Sequence, residues 1–147
     1  MNSRAGTDGR YPFAGLVLTG TGTSKKNDFG TVFEITHSMT GWKNHILYSF
    51  NATYSGDGNQ PHAGVTMDIE GNLYGTTYYG GADNYFGTVY KLSKSQNGKW
   101  NEAVLYSFTG EEDGGSPQAG VIEHQGWLYG TTLLGGNNSG VVYQTRP

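Results

Sequence analysis

An eight-residue pattern that recurs three times constrains this chain more than any other feature. The pattern, D-G-x-x-P-x-A-G, occupies residues 8–15, 57–64 and 113–120. The copies start 49 and then 56 residues apart, a spacing typical of proteins built from stacked repeat units. We interpret residues 1–147 as one repeat domain. Its units are a shortened unit 1 (8–50), a complete unit 2 (51–108) and a unit 3 (109–147) that lacks its last strand.

The sequence between the copies indicates short β-strands. The chain contains 25 glycines and 11 tyrosines, and runs rich in Tyr, Thr and Val bounded by Gly, Asn or Asp are typical of strands joined by tight turns. In unit 2 these runs are residues 65–69, 73–77, 86–92 and 103–108. Unit 3 repeats the first three runs and then ends.

Four antiparallel strands in about 50 residues match the size of a β-propeller blade. We therefore predict an all-β, propeller-like fold with three blades. Because propellers usually close with about four to eight blades, we expect the ring to be completed by a dimer or trimer of the chain. A β-trefoil, which also has three four-stranded repeats, is the alternative fold.

The bulk composition excludes several classes of protein. Charged residues make up 14% of the chain and the net charge is -3, so nucleic acid is not an expected partner. Cysteine is absent, which excludes disulfides, thiolate metal sites and a cysteine nucleophile. We expect no membrane span, because no 18-residue apolar run occurs, and no signal peptide, because residues 1–6 lack an apolar core.

The repeated motifs resemble the Gloeo-Verruco (GloVer) tandem repeat. They are Y-S-F at residues 48–50, D-G-x-x-P-x-A-G at 57–64, G-N-L-Y-G-T-T-x-x-G-G at 71–81 and G-T-V-Y-K-L at 87–92. Unit 1 departs from the family pattern because it lacks the third of these motifs, and Val141 replaces the threonine of the fourth in unit 3. The resemblance implies an extracellular or cell-surface protein. It also extends to short members that hydrolyse N-acylhomoserine lactones with calcium, which implies a calcium-dependent, quorum-quenching lactone hydrolase.

The repeated aspartates are the candidate calcium ligands. Asp8, Asp57 and Asp113 occupy the same place in each unit, and Asn59 lies two residues after Asp57. Carboxylate and amide oxygens are the ligands that calcium takes, and bound calcium polarises a carbonyl for attack by water. The alternative is structural, because an Asp-Gly pair is also an ordinary turn signal.

Two histidines are the candidate catalytic bases. His62 stands where the other units have Phe13 and Gln118, and His124 stands where unit 2 has Asp68. A neutral imidazole suits general-base catalysis near neutral pH. A solvated surface histidine is the alternative for each of them.

Loop tyrosines indicate a different function. Tyr78, Tyr79 and Tyr85 lie in or beside the loop of unit 2, where exposed aromatic rings stack on the apolar faces of sugars. They predict a non-catalytic module that binds glycans or cell-envelope polymers, in which repeated weak sites add avidity. A structural spacer from a longer repeat array is the third hypothesis.

Overall fold

Short antiparallel strands make up the regular structure of this chain. The computed structural model describes residues 29–51, 56–82, 85–137 and 139–147. Within these residues eleven strands form four small sheets, every pairing is antiparallel, and no helix is found. The strands are β1 Thr31–Ser38, β2 Gly41–Ser49, β3 Gly58–Asn59, β4 Thr66–Met67, β5 Leu73–Thr77, β6 Tyr79–Gly80, β7 Thr88–Lys94, β8 Trp100–Ser107, β9 Ile122–His124, β10 Trp127–Thr131 and β11 Val142–Thr145.

The central sheet has the strand order expected for the complete unit. It contains β4, β5, β7 and β8 as neighbours in sequence order. The turn from β4 to β5 is capped by Asp68, whose carboxylate accepts hydrogen bonds from the amides of Glu70 and Asn72 at 2.9 Å. This sheet therefore has four antiparallel strands, although β4 is only two residues long.

Smaller sheets represent units 1 and 3. The two strands β1 and β2 form a hairpin in unit 1, and β9, β10 and β11 form a three-stranded sheet in unit 3. The sheet of β9, β10 and β11 has β10 at its centre among the described residues.

A small pairing inside the repeated pattern was not expected from the sequence. The sequence indicates a turn at residues 57–64 and a loop at residues 80–84. In the structure, β3 from the first of these segments pairs with β6, which ends where the second begins. The amide of Tyr78 donates to the carbonyl of Gln60, and the amide of Gly81 donates to the carbonyl of Asp57, both at 3.0 Å. The sequence interpretation missed this pairing because two-residue strands carry no periodicity. The two loops form one hydrogen-bonded frame at the end of unit 2.

Two apolar clusters lie on opposite faces of the central sheet. Side chains alternate along a strand, so Leu73 contributes to one cluster and its neighbour Tyr74 to the other. We call the contact with unit 1 the first junction and the contact with unit 3 the second junction. The buried residues of the first junction are Val32, Phe50, Leu73, Tyr90 and Leu92. Those of the second are Tyr74, Val89, Phe108, Val121 and Leu128.

Both junctions contain the same aromatic contact. Phe50 meets Tyr90 edge-to-face with ring centroids 5.1 Å apart, and Phe108 meets Tyr143 in the same way at 4.9 Å. Edge-to-face pairs contribute about 0.5–1.5 kcal/mol beyond their buried area. The repeated Y-S-F motif therefore supplies the phenylalanine that joins one unit to the next.

These observations confirm the all-β fold class at a coarse level. The described residues form several small antiparallel sheets, and none of these sheets closes into a barrel. The described part of the chain also contains no helix long and apolar enough to cross a bilayer.

Candidate functional site

The repeated aspartates clamp the chain where one unit leads into the next. The Asp57 carboxylate accepts a hydrogen bond from the Asn51 amide at 2.7 Å and from the Tyr48 hydroxyl at 3.3 Å. Asp113 repeats this arrangement, with the Thr109 amide at 3.0 Å and the Tyr106 hydroxyl at 2.9 Å. Asp8 lies outside the described residues.

The two aspartates differ in what else their oxygens contact. Both oxygens of Asp113 accept hydrogen bonds, because the hydroxyl of Thr109 donates to Oδ1. The Oδ1 atom of Asp57 is buried and has no donor in bonding geometry among the described residues. The residue two positions later also differs, since Asn59 corresponds to Gly115.

Further buried oxygens without partners lie near Asp57. The Oδ1 atom of Asn59 and the Oε1 atom of Glu102 also lack a hydrogen-bond partner within the described ranges. Burial, followed by the negative charge of Asp57, raises the pKa of Glu102 to about 7. Burial also raises the pKa of Asp57, against the opposing effect of hydrogen bonds from Asn51, Gly58 and Tyr48. The first junction therefore holds two carboxyl groups whose charges are poorly compensated.

Glu102 was missed by the sequence interpretation. It lies on β8 opposite Leu92, and it belongs to no motif. Trp100, Glu102 and Val104 alternate with the exposed residues Asn101 and Ala103. In the sequence, the apolar residues Trp100 and Val104 stand two positions on either side of Glu102. This spacing places Glu102 on the same face of the strand, toward unit 1.

The two candidate bases lie in different units. The exposed imidazole of His62 stacks on the ring of Tyr78, with centroids 4.8 Å apart and an interplanar angle of 27°. His124 is exposed on β9, opposite Trp127. The structure therefore associates His62 with a candidate ligand-binding tyrosine and His124 with the exposed hairpin of unit 3.

Tyr78 and Tyr79 form a ring cluster with His62. The rings of Tyr78 and Tyr79 meet edge-on at 4.5 Å, and Tyr79 is 38% exposed. The hydrogen-bonded frame of β3 and β6 ties residues 57–60 to residues 78–81 and so carries Tyr78 and Tyr79, while His62 lies two residues after Gln60. We call His62, Tyr78 and Tyr79 the ring platform. Tyr85 is 68% exposed, and the centroid of its ring lies 6.4 Å from that of Phe86.

Unit 3 builds the same frame without the rings. The amides of Leu133 and Leu134 donate to the carbonyl of Gly115 at 3.1 and 3.0 Å. Leu133 and Leu134 correspond to Tyr78 and Tyr79, and Gln118 corresponds to His62. The backbone frame is thus common to both units, whereas the aromatic side chains belong to unit 2.

The described residues contain no group of three or more His, Cys, Asp or Glu side chains placed to hold a metal ion. The buried side-chain oxygens without a hydrogen-bond partner include Oδ1 of Asp57, Oδ1 of Asn59 and Oε1 of Glu102. A cation bound by these atoms would be held by carboxylate and amide oxygens, which suits a hard cation such as calcium.

Small antiparallel units joined by the same tyrosine–aspartate bond define this chain as an all-β tandem-repeat protein. A family model described as the Gloeobacter/Verrucomicrobia repeat matches residues 13–147. Since that match spans most of the 147 residues, the chain belongs to this family, and the resemblance seen in the motifs is confirmed. No curated protein and no solved structure gives a significant match.

Proposed function

We propose that the chain is a ligand-binding repeat module and that the ring platform of unit 2 binds glycans. The carrying observation is the stacked and edge-on arrangement of His62, Tyr78 and Tyr79 on a rigid two-loop frame. Aromatic rings held this way offer a large contact area with little loss of side-chain entropy. Sugars present flat apolar C–H faces to such rings.

The comparison with unit 3 supports this proposal. Unit 3 forms a corresponding antiparallel bridge, between Gly115 and Leu134, with leucines in place of the tyrosines, so aromatic side chains are not needed for the two loops to pair. Aromatic residues added at a structurally fixed position favour a binding role over a packing role.

The test is titration calorimetry with β-linked glucose and N-acetylglucosamine oligosaccharides. Wild type should bind, and the double variant Tyr78→Leu/Tyr79→Leu, which copies the side chains of unit 3, should lose at least tenfold in affinity. The control variant Leu133→Ala/Leu134→Ala should bind like wild type. Equal binding by Tyr78→Leu/Tyr79→Leu and wild type would refute the platform.

A calcium-dependent lactone hydrolase is the second candidate, on the strength of the unpartnered oxygens at the first junction. Asp57, Asn59 and Glu102 would hold calcium, with Glu102 taking the place that the sequence interpretation gave to Asp113. Calcium bound there would supply a Lewis acid for a lactone carbonyl. His62, five residues after Asp57, would accept the proton of the attacking water.

This candidate is tested by following lactone ring opening with calcium and with excess chelator. Calcium-dependent opening that is lost in Asp57→Asn and Glu102→Gln but kept in Asp113→Asn would support it. Chelator-resistant opening, or none in folded protein, would exclude it. Thermal unfolding measured at increasing calcium concentrations reports calcium binding independently of activity.

The arrangement of the units favours a propeller over a trefoil. Each sheet packs its face on the next through one repeated phenylalanine contact, as blades do. The outer face of unit 3 is apolar and exposed: Val142 is 77% exposed, whereas its counterpart Val89 is 0% exposed beneath unit 3. We therefore include a ring shared by two or three copies, and an extracellular setting, in the proposal.

A further inference from the structure

The turn between β7 and β8 contains the one asparagine of the sequence that is followed by glycine. Strand β7 ends at Lys94 and β8 begins at Trp100, and Asn97 and Gly98 are both exposed between them. Gly98 has a φ of 83°, and a Cβ added there would meet only the end of the Lys94 side chain, at 4.0 Å. The nitrogen of Gly98 is therefore not crowded by neighbouring atoms.

An Asn-Gly pair undergoes a covalent rearrangement that needs only water. The backbone nitrogen of Gly98 attacks Cγ of Asn97, so that a Cγ–N bond forms and the Cγ–Nδ2 bond breaks. Nδ2 leaves as ammonia, with the proton lost from the Gly98 amide. Water then opens the resulting succinimide at one carbonyl to give aspartate, or at the other to give isoaspartate. Glycine favours ring closure because it has no Cβ beside the attacking nitrogen.

Hydrogen bonds within the turn constrain both reacting groups. The Gly98 amide donates to the carbonyl of Ser95 at 2.9 Å, which engages the N–H that the reaction must remove. Oδ1 of Asn97 accepts from the Ser95 hydroxyl at 2.6 Å and from the Lys99 amide at 3.1 Å. These two bonds fix the orientation of the Asn97 side chain. Ser95 therefore contacts both the nucleophile and the group that it attacks.

We propose that Asn97 is a site of spontaneous deamidation and that Ser95 keeps it latent in the folded turn. The Gly98 nitrogen reaches Cγ of Asn97 only after the bonds to Ser95 are released, so the end of the hairpin must open first. Such local opening is far easier than global unfolding at an exposed turn. Deamidation is then slow in the folded chain and accelerates whenever the turn loosens.

The isoaspartate product would affect the contact between units 1 and 2. Its backbone runs through the side-chain carboxyl carbon and is one atom longer, inside a turn closed by the bond from the Ser95 amide to the Lys99 carbonyl at 2.8 Å. The next pair along the hairpin is Lys94 and Trp100, and Trp100 packs against the buried residues of the first junction. We therefore expect isoaspartate at position 97 to weaken the first junction.

The test follows the whole chain during incubation at pH 8.5 and 37 °C. Trypsin cuts after Lys94 and Lys99 and releases residues 95–99 as one peptide (SQNGK), in which mass spectrometry detects the exchange of the amide for a carboxyl group. Conversion at Asn97 should be at least threefold slower than in the free peptide SQNGK. It should be at least threefold faster in Ser95→Ala than in wild type, and unchanged in Ser95→Thr, which keeps the hydroxyl.

The effect on the first junction is measured on the isoaspartate form, separated from the unmodified chain by anion exchange. It should unfold at a lower temperature than the unmodified chain. Three results would overturn the proposal. They are conversion in the folded chain as fast as in the free peptide, a rate in Ser95→Ala equal to or below that of wild type, and no conversion in Ser95→Ala by the time the free peptide is fully converted. Equal unfolding temperatures would overturn the link to the first junction.

Discussion

The hydroxyl of Tyr106 donates a hydrogen bond to the carboxylate of Asp113 at 2.9 Å, seven residues further along the chain. The same bond joins Tyr48 to Asp57 in the preceding unit. This bond ties the last strand of one unit to the D-G motif that opens the next. The repeated aspartate therefore has a structural role in both units, and only Asp57 retains an unpartnered oxygen.

Removing the Tyr106 hydroxyl should weaken unit 3 without disturbing its packing. Tyr106→Phe keeps the edge-to-face contact with Phe108 and should lower the free energy of unfolding by about 1 kcal/mol at pH 7. Burial alone would raise the pKa of Asp113, but hydrogen bonds from Thr109 and Tyr106 outweigh it, so the pKa is lowered.

Because the pKa of Asp113 is lowered on folding, the stabilisation is present above the ordinary aspartate pKa of about 3.9 and is lost as pH falls below it. Urea unfolding of wild type and Tyr106→Phe should therefore converge on acidification. A difference that does not change with pH would contradict this assignment.

Glu102 should make the protein less stable as the pH rises. Its pKa is raised from 4.5 to about 7 on folding, so the folded state binds the proton more tightly. Stability is then full below about pH 4.5 and falls as the pH rises through about 7. Glu102→Gln should be more stable than wild type at pH 8 by about 1–2 kcal/mol, allowing for solvent screening.

The measurement is urea unfolding at pH 4.5 and pH 8 with chelator present, followed by tryptophan fluorescence. The exposed Glu112→Gln serves as the matched charge control and should follow wild type. Equal stability of Glu102→Gln and wild type at pH 8 would show that Glu102 is not buried with a raised pKa.

Gly75 is expected to tolerate no side chain. A Cβ at Gly75 would collide with the Tyr90 hydroxyl and would lie 2.6 Å from the ring carbon that bears it. Gly75→Ala should therefore destabilise the fold by about 3 kcal/mol or more. The measurement is thermal unfolding, with Gly71→Ala as the control. Gly71 has a positive φ of 84° but open space around it, so a larger loss in Gly75→Ala would show that the defect comes from the collision.

The Tyr90 hydroxyl supplies a second test at the same place. It is buried and has no hydrogen-bond partner among the described residues, so Tyr90→Phe should leave stability unchanged or raise it slightly. The same substitution should relieve part of the Gly75→Ala defect, because only two carbons of the ring then remain in close contact. No rescue would place the collision elsewhere.

The strands of unit 2 could be predicted from sequence because each is a short run bounded by turn residues. Thr88–Lys94 and Trp100–Ser107 overlap the predicted runs at 86–92 and 103–108. The β3–β6 frame could not be predicted, since its pairing depends on backbone contacts between distant loops rather than on periodicity.

The candidate site was predictable only in part. Asp57 stood out because it recurs, with Asn59 close to it in sequence, and His62 because it breaks the repeat. The tyrosines stood out because they lie in or beside a loop. Glu102 gains its significance from its burial and from the charge of Asp57, which lies far from it in the sequence of the same unit. Local sequence does not encode that proximity.

The most direct test of the ring platform is to build a second copy of it in unit 3. The triple variant Gln118→His/Leu133→Tyr/Leu134→Tyr places the same three side chains on the frame that unit 3 already forms. Calorimetry with the oligosaccharide that wild type binds should show the stoichiometry rising from one site to two per chain. An unchanged stoichiometry in a folded triple variant, together with undiminished binding by Tyr78→Leu/Tyr79→Leu, would contradict the proposed function.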